Sequence, residues 1–246
     1  MTGVAGRVAL LTGASGGIGK AIGRRLAEEG VDVCLAYGRH GDDAEEVAAY
    51  ARGLGRRAIA VSADMADPQG PANLVAYASR ELGDVDVLVA NAGTADIKSW
   101  ENIDLASWNA TLAVNLTAPF LLAQQVLPGM IERRFGRILF ISSVAALNGG
   151  VVGAHYAASK AGLHGLMHHL APRVAADGVT VNCLAPALVG DTKMFPADLE
   201  TGTPPVPIPV GRVGRPAEMA DMAITMLRTG YLTNKVITVD GGLVPR

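Results

Sequence analysis

The sequence predicts an α/β fold, with one domain of 246 residues built on a doubly wound parallel sheet of about seven strands and helices on both faces. Two observations predict it. Short apolar, β-branched runs alternate with longer segments of helical periodicity, the pattern of parallel strands joined by crossover helices. The runs are almost continuously apolar, which suits a sheet covered on both sides. With 50% hydrophobic residues the chain can bury a large core.

The elements follow in order along the chain. The predicted strands are 7–12, 31–37, 57–63, 85–90, 137–142, 179–185 and 235–240. Helical periodicity fills 18–30, 42–55 and 71–83 between the first four. In such a fold the ligand site lies at the carboxyl ends of the strands.

Two segments break the alternation. The first, 91–115, is a loop that leads into a helix, and the second, 186–216, is rich in Gly and Pro and poor in periodicity. Because long irregular insertions in compact domains commonly carry function, we predict a lid over the substrate site at about 187–212.

Charge and targeting signals restrict the class of protein. The net charge of −2 offers no basic footprint, so we expect no nucleic-acid partner. The N-terminus lacks a signal-peptide pattern, and no uninterrupted apolar run approaches the roughly 18 residues that span a bilayer. Cys34 and Cys183 lie in apolar runs and do not form a disulfide framework. We therefore expect a cytoplasmic protein with no membrane partner.

A glycine-rich loop, TGASGGIG at 12–19, ends the first strand and opens the first helix. Gly13, Gly17 and Gly19 permit a tight turn and a close approach of the backbone to a ligand. The N-terminus of the helix presents free amides and a partial positive charge to a pyrophosphate. The loop therefore predicts a dinucleotide site.

A tyrosine and a lysine form the candidate acid/base pair. Tyr156 and Lys160 are four residues apart on a predicted helix, so their side chains share one face. A phenol titrates near pH 10, too high for efficient proton exchange at neutrality, and a nearby cation stabilises its phenolate form. We expect Lys160 to lower the pKa of Tyr156 in this way.

Several motifs in the correct order resemble the short-chain dehydrogenase/reductase family, whose fold is of the Rossmann type. The glycine spacing is G-x3-G-x-G, the triplet NAG stands at 91–93, and Asn115, Ser143, Tyr156 and Lys160 fall where the family has its catalytic residues. The resemblance implies that Tyr156 gives a proton to a carbonyl oxygen held by Ser143 while the nicotinamide supplies a hydride. It implies that Asn115 supports a water chain to Lys160.

The resemblance also implies a set of cofactor contacts, in which Asp64 caps the adenine ring. Ala187 replaces the glycine that usually follows Pro186, and Thr192 falls one residue later than the family's threonine. The set, which shares Tyr156 and Lys160 with the catalytic group, comprises Gly13, Ser15, Gly17, Ile18, Gly19, Arg39, His40, Asp64, Met65, Asn91, Ala92, Gly93, Pro186, Val189 and Thr192.

The end of the second strand bears on cofactor choice. An acidic residue there would bind a ribose 2′-hydroxyl and repel a 2′-phosphate, but the run is AYGRH at 36–40. Arg39, with His40, can pair with a 2′-phosphate. NADP(H) is favoured, and NAD(H) is the alternative, because Gly16 stands where many NADP-dependent relatives carry a basic residue.

Within the family, the resemblance is closest to ketoreductases of the 3-oxoacyl-[acyl-carrier-protein] reductase kind, on RRFGRI at 133–138, YAASKAGL at 156–163 and VITVDGG at 236–242. It implies a small-molecule or thioester-linked carbonyl substrate and a homotetramer or homodimer. Arg134 matches one basic position that receives the carrier protein. Asp177 stands where a second arginine is expected and would repel an acidic carrier, which argues against that partner.

Other interpretations stay open at this point. An alcohol or polyol dehydrogenase working oxidatively shares the same residues, and a catalytically silent dinucleotide sensor shares the fold. His164 and His168 are four apart on one helix but have no evident third ligand, so we expect no metal site. We also hypothesise that His155, next to Tyr156, lines the substrate pocket.

Overall fold

The centre of the protein is a parallel sheet of seven strands in the order β3-β2-β1-β4-β5-β6-β7, in a computed structural model that describes residues 3–192 and 206–245. All seven predicted strands are confirmed, with bounds within two residues of the prediction. They are β1 (Val8–Thr12), β2 (Asp32–Tyr37), β3 (Ala58–Ser62), β4 (Val87–Ala90), β5 (Gly136–Ile141), β6 (Val179–Pro186) and β7 (Val236–Val239).

Helices cover both faces of the sheet, as the fold class predicts. Alternate residues of each strand point to opposite faces, so Leu11 and Leu35 join one core and Leu10 and Cys34 join the other. Helices α1, α2 and α8 close the first core, and α3, α5 and α7 close the second. The helices are α1 (Gly17–Glu28), α2 (Gly41–Gly53), α3 (Gly70–Leu82), α4 (Leu105–Leu112), α5 (Ala118–Glu132), α6 (Ala145–Asn148), α7 (Ala154–Val174) and α8 (Pro216–Arg228).

The strand order creates the crevice that holds the site. β1 pairs with β2 on one side and with β4 on the other, so the direction of winding reverses between β1 and β4. The loops that follow these two strands therefore leave in opposite directions and open a crevice at their carboxyl ends.

One helical stretch has the length of a membrane span. Leu105–Glu132 is long and apolar enough to cross a bilayer by length and composition, although it holds no uninterrupted apolar run of that length. Length and composition also describe core helices, and Leu122, Val126 and Met130 of this stretch are buried in the second core. We therefore assign Leu105–Glu132 to the helical layer of the fold.

The predicted lid at about 187–212 is described only at its two ends, because 193–205 lies outside the described residues. A bridge between Val189 and Gly214 joins those ends. Leu188, Ile208 and Val213 form a small apolar cluster beneath them. The described ends are thus packed onto the carboxyl edge of the sheet.

Candidate active site

A cavity of about 890 Å³ occupies the crevice at the carboxyl ends of the strands. It is large enough for a dinucleotide and a small substrate, since ligand pockets commonly span roughly 300–1,000 Å³. Every residue of the predicted cofactor set lines it, and so do Ser143, Tyr156 and Lys160. Asn115 is the predicted site residue that lies behind the cavity wall rather than in it.

The glycine loop is tied to the segment after β4. Asn91 donates from Nδ2 to the carbonyl oxygens of Thr12 and Gly13, both at 3.0 Å. Thr12 Oγ1 in turn accepts from the backbone amides of Asn91 and Ala92. A Cβ on Gly19 would overlap the carbonyl oxygen of Gly13, so the tight turn requires a residue without a side chain.

This loop fits the diphosphate of a nicotinamide dinucleotide. Gly13 has a φ of +67°, a left-handed conformation that glycine adopts without strain. Helix α1 begins at Gly17, and its first amides face the cavity, where they can bind an anion.

The end of β2 carries an available cation. Ser15 Oγ donates to the carbonyl oxygen of Arg39 at 2.8 Å, which fixes the Arg39 backbone beside the glycine loop. Arg39 is exposed at the cavity and makes no ion pair with the described residues. His40 has a φ of 59°, a left-handed turn that starts α2 directly after Arg39. Both side chains therefore lie at the end of β2, where we predicted the residues that distinguish NADP(H) from NAD(H).

The end of β5 meets α7 at the predicted catalytic residues. Lys160 Nζ donates to the carbonyl oxygen of Ile141 at 2.8 Å. Two residues later, Ser143 is hydrogen-bonded to Tyr156 through their side chains. Tyr156 is 6% exposed and Lys160 is 3% exposed. The strand end therefore holds both members of the predicted acid/base pair on the cavity wall.

Burial controls the pKa values of this pair. It raises the pKa of Tyr156, and the hydrogen bond from Ser143 opposes that rise. It lowers the pKa of Lys160 to about 8. The direction for Tyr156 is opposite to the expected lowering by Lys160, because Lys160 Nζ points to Ile141 and lies 5.7 Å from the Tyr156 ring centroid. Desolvation of the phenol therefore determines the direction of the shift.

Asn115 sits in a π-helical turn, Ala113–Thr117, that joins α4 to α5. Its side chain binds both backbone groups of Thr94 and donates to Ser159 Oγ at 3.1 Å. Ser159 Oγ then donates to the carbonyl oxygen of Tyr156. Wide turns of this kind often occur at functional sites. Here the turn connects the loop after β4 to the helix that carries Tyr156.

A left-handed turn at Asp191 precedes Thr192, the threonine that falls one residue later than in the family. Asp191 has a φ of 51°, and Thr192 Oγ1 donates to the carbonyl oxygen of Val189 at 3.0 Å. The Asp191 carbonyl oxygen approaches Gly17 so closely that a Cβ there would overlap it. Thr192 therefore lines the cavity next to the glycine loop despite its shifted position.

The hypothesis about His155 is wrong. Its side chain is fully buried behind Tyr156 and does not line the cavity that the described residues form. The His155 ring packs closely against Gly153, two residues earlier. A Cβ on Gly153 would lie 3.0 Å from His155 Nδ1 and 2.8 Å from the carbonyl oxygen of Lys98. The histidine thus packs under the loop after β4.

Several cavity residues lie outside the predicted catalytic and cofactor set, among them Thr94, Ala95, Asn148, Val151, Val206 and Leu243. Thr94 and Ala95 directly follow the predicted triplet, and Val206 lies within the predicted lid. Sequence reasoning missed Leu243, because it follows every predicted site residue and no local pattern marks it.

The family model described as short chain dehydrogenase matches residues 7–201, which include the glycine loop, Ser143, Tyr156 and Lys160. The chain belongs to this family. The short-chain dehydrogenase is an oxidoreductase, and its family binds a nicotinamide dinucleotide and acts on small carbonyl compounds.

Relatives and solved structures match over nearly the whole chain. The 3-oxoacyl-[acyl-carrier-protein] reductase of Synechocystis is 36% identical, with 99% of each chain covered. The acetoacetyl-CoA reductase of Cupriavidus necator is 35% identical, with 96% of this short-chain dehydrogenase and 98% of the relative covered. A blue fluorescent protein from a metagenomic library, solved in complex with NADPH, has a TM-score of 0.92 and 35% identity, with 98% and 99% coverage.

Proposed function

We propose that this short-chain dehydrogenase is an NADP(H)-dependent ketoreductase that converts a ketone of the 3-oxoacyl thioester or polyketide type into a secondary alcohol. The observation that carries the proposal is the Ser143–Tyr156 hydrogen bond on the wall of the cavity, one helical turn from Lys160. A substrate oxygen placed between these hydroxyls meets one donor that holds it and one that can release a proton.

The chain's own residues divide the work in three. Tyr156 donates its proton to the substrate oxygen, and it is protonated at neutral pH because a phenol titrates near pH 10 and burial raises its pKa further. Ser143 holds the oxygen and orients the phenol. Lys160 stabilises the negative charge that develops on Tyr156 as its proton leaves. A bound nicotinamide supplies the hydride.

Arg39 supports NADP(H) over NAD(H). It is an exposed guanidinium with no ion pair to the described residues, held by its backbone beside the glycine loop. A phosphate dianion pairs well with such a group. The NADPH bound in the blue fluorescent protein, a structural neighbour, points the same way.

The substrate class follows from the relatives and from one ion pair. Both reductases above are named for 3-oxoacyl thioesters, one on a carrier protein and one on coenzyme A. In this chain Asp177 lies 3.8 Å from Arg134, whose Nη2 also donates to the carbonyl oxygen of Ala176. Because this acidic neighbour offsets the charge of Arg134, we propose a free or coenzyme-linked ketone rather than one on an acidic carrier.

Nucleotide titration followed by turnover tests the proposal. NADPH and NADH are titrated by fluorescence, and their oxidation is then followed with 3-oxoacyl thioesters, small ketones and, with oxidised nucleotide, alcohols and polyols. We expect NADPH to bind at least about tenfold tighter, near 1.4 kcal/mol, and a thioester or ketone to consume it. Tighter binding of NADH, or reaction of alcohols alone, would favour the oxidative dehydrogenase instead.

A further inference from the structure

Three consecutive residues at the end of β5 contact three residues spaced four apart on α7. Ile141 accepts from Lys160 Nζ, and Ser143 binds Tyr156. Between them, Ser142 Oγ lies 2.8 Å from His164 Nε2 and 3.1 Å from the carbonyl oxygen of Lys160. Residues four apart share a helix face, so His164 extends the face that carries the acid/base pair. The proposed function gives Ser142 and His164 no role.

The donor in the contact between Ser142 and His164 follows from the number of protons that each group can give. A serine hydroxyl has one proton to give, and a carbonyl oxygen can only accept. Ser142 therefore gives its proton to the carbonyl oxygen of Lys160. The short contact with His164 is then a hydrogen bond in which Nε2–H of His164 donates to Ser142 Oγ. Both the Nε2–H neutral form and the imidazolium can donate this hydrogen bond.

Ser142 is held in place by burial and by hydrogen bonds. It is 3% exposed, and its backbone amide donates to the carbonyl oxygen of Leu184 at 2.7 Å. Its side chain is the link through which the strand end is attached to the Lys160 backbone. His164 is half-buried and covers that link on the side away from Tyr156.

We propose that His164 is a positioning residue for the acid/base pair and acts through Ser142. By donating to Ser142 Oγ it orients the hydroxyl toward Lys160, and so sets the distance between the β5 end and α7. Ser143 follows Ser142 directly, so that distance determines how closely Ser143 and Tyr156 approach the substrate oxygen. Small displacements of reacting groups have large effects on rate. The inference rests on the proposed roles of Ser143 and Tyr156.

Four variants and one control test it. His164→Phe keeps an aromatic ring and removes the donor, while His164→Gln places an amide N–H near the position of Nε2. Ser142→Ala removes the link, and the double variant His164→Phe/Ser142→Ala completes a cycle. The control is His168→Phe, one turn further along α7, where His168 Nδ1 contacts Asn234 Oδ1 at 2.7 Å and no β5 residue is involved. For each variant kcat, KM, nucleotide Kd and Tm are measured.

A positioning role predicts a specific pattern. His164→Phe should lower kcat about fivefold to 50-fold while KM and NADPH Kd change less than about twofold. Ser142→Ala should lower kcat similarly, and the double variant should be no slower than the slower single variant. His164→Gln should recover most of the lost kcat, and His168→Phe should leave kcat unchanged even if Tm falls.

Contrary outcomes are equally clear. A wild-type kcat in His164→Phe, losses that multiply in the double variant, or an equal loss in His168→Phe would overturn the inference. If His164→Phe does not fold, Ser142→Ala and His164→Gln decide, since a wild-type kcat in Ser142→Ala removes the proposed link. Tyr156→Phe is assayed alongside. Substantial turnover in that variant would overturn the proposed function, whereas its inactivity beside a fully active His164→Phe would overturn this inference alone.

Discussion

Lys160 Nζ donates a hydrogen bond to the carbonyl oxygen of Ile141 at 2.8 Å, and this contact holds a buried ammonium group at the end of β5. An amine that is 3% exposed and faces a neutral carbonyl pays a desolvation penalty in its charged form. That penalty lowers the pKa of Lys160 to about 8. The charge that the proposed reaction needs is thus lost in a readily accessible pH range.

The pH dependence of reduction should report this pKa. Burial raises the pKa of Tyr156, so Lys160 is the member of the pair that loses its proton first as the pH rises. We expect kcat/KM for ketone reduction to be constant below pH 8 and to fall above it, by about tenfold per pH unit. Steady-state rates measured from pH 6 to 10 at saturating nucleotide provide the test.

Lys160→Arg supplies the control for that profile. Its guanidinium stays protonated throughout the range, so the fall above pH 8 should disappear even if the absolute rate is lower. A fall that persists unchanged in the variant would assign the titration to another group.

Tyr156→Phe should separate binding from chemistry. The substitution removes the proton donor and keeps the ring that packs against Ala145 and Val152. We expect nucleotide Kd within about twofold of wild type and a loss of kcat on the order of a thousandfold or more. Fluorescence titration and a single-turnover assay give the two quantities, and retained turnover would require a different acid.

Arg39→Ala should weaken the binding of NADPH and leave that of NADH unchanged. Loss of a charge-assisted pair with a phosphate corresponds to about 1.5–3 kcal/mol, or roughly 10- to 150-fold in Kd. Arg173→Ala is the matched control, because Arg173 is exposed on α7 and does not line the cavity. Equal weakening of both nucleotides would show that Arg39 acts on the loop and not on the 2′-phosphate.

Two substitutions in the glycine loop should differ in stability. A Cβ on Gly19 would overlap the carbonyl oxygen of Gly13, a backbone atom that cannot move without opening the turn. At Gly16 the nearest atom to a new Cβ is 3.5 Å away and φ is −84°, so alanine fits. We expect Gly19→Ala to lower the free energy of unfolding by about 2–4 kcal/mol and Gly16→Ala to change it by less than about 1 kcal/mol. Chemical denaturation compares them, and equal stabilities would contradict the loop geometry.

The strands were predictable because a sheet covered on both faces requires apolar residues on both sides of each strand, and this pattern can be recognised in the sequence. Each strand is a nearly unbroken apolar run, and glycine-containing or polar turns separate it from the next helix. No local sequence pattern indicated the π-helical turn at Ala113–Thr117, since it contains neither glycine nor proline and lies within a continuous helical pattern. Its geometry depends on tertiary contacts of Asn115 with Thr94 and Ser159.

The site was predictable where residue type and order both carry information. Tyr156, Lys160 and the glycine loop have chemistry that few other patterns combine, and all of them line the cavity. Protonation was not predictable, because the pKa of Tyr156 is raised by burial of its hydroxyl, and the depth of that burial depends on the tertiary packing. His155 shows the same limit: adjacency to Tyr156 in sequence places it on a different side of the helix, away from the cavity.

The position of β7 has a consequence during protein synthesis. All eight residues of β6 are buried, and its outer edge is covered by β7, which follows it along the chain after helix α8. A nascent chain that ends before residue 230 would therefore present the unpaired outer edge of an apolar strand. Such edges recruit other chains. Fragments that stop between β6 and β7 would thus be prone to aggregation until β7 is added.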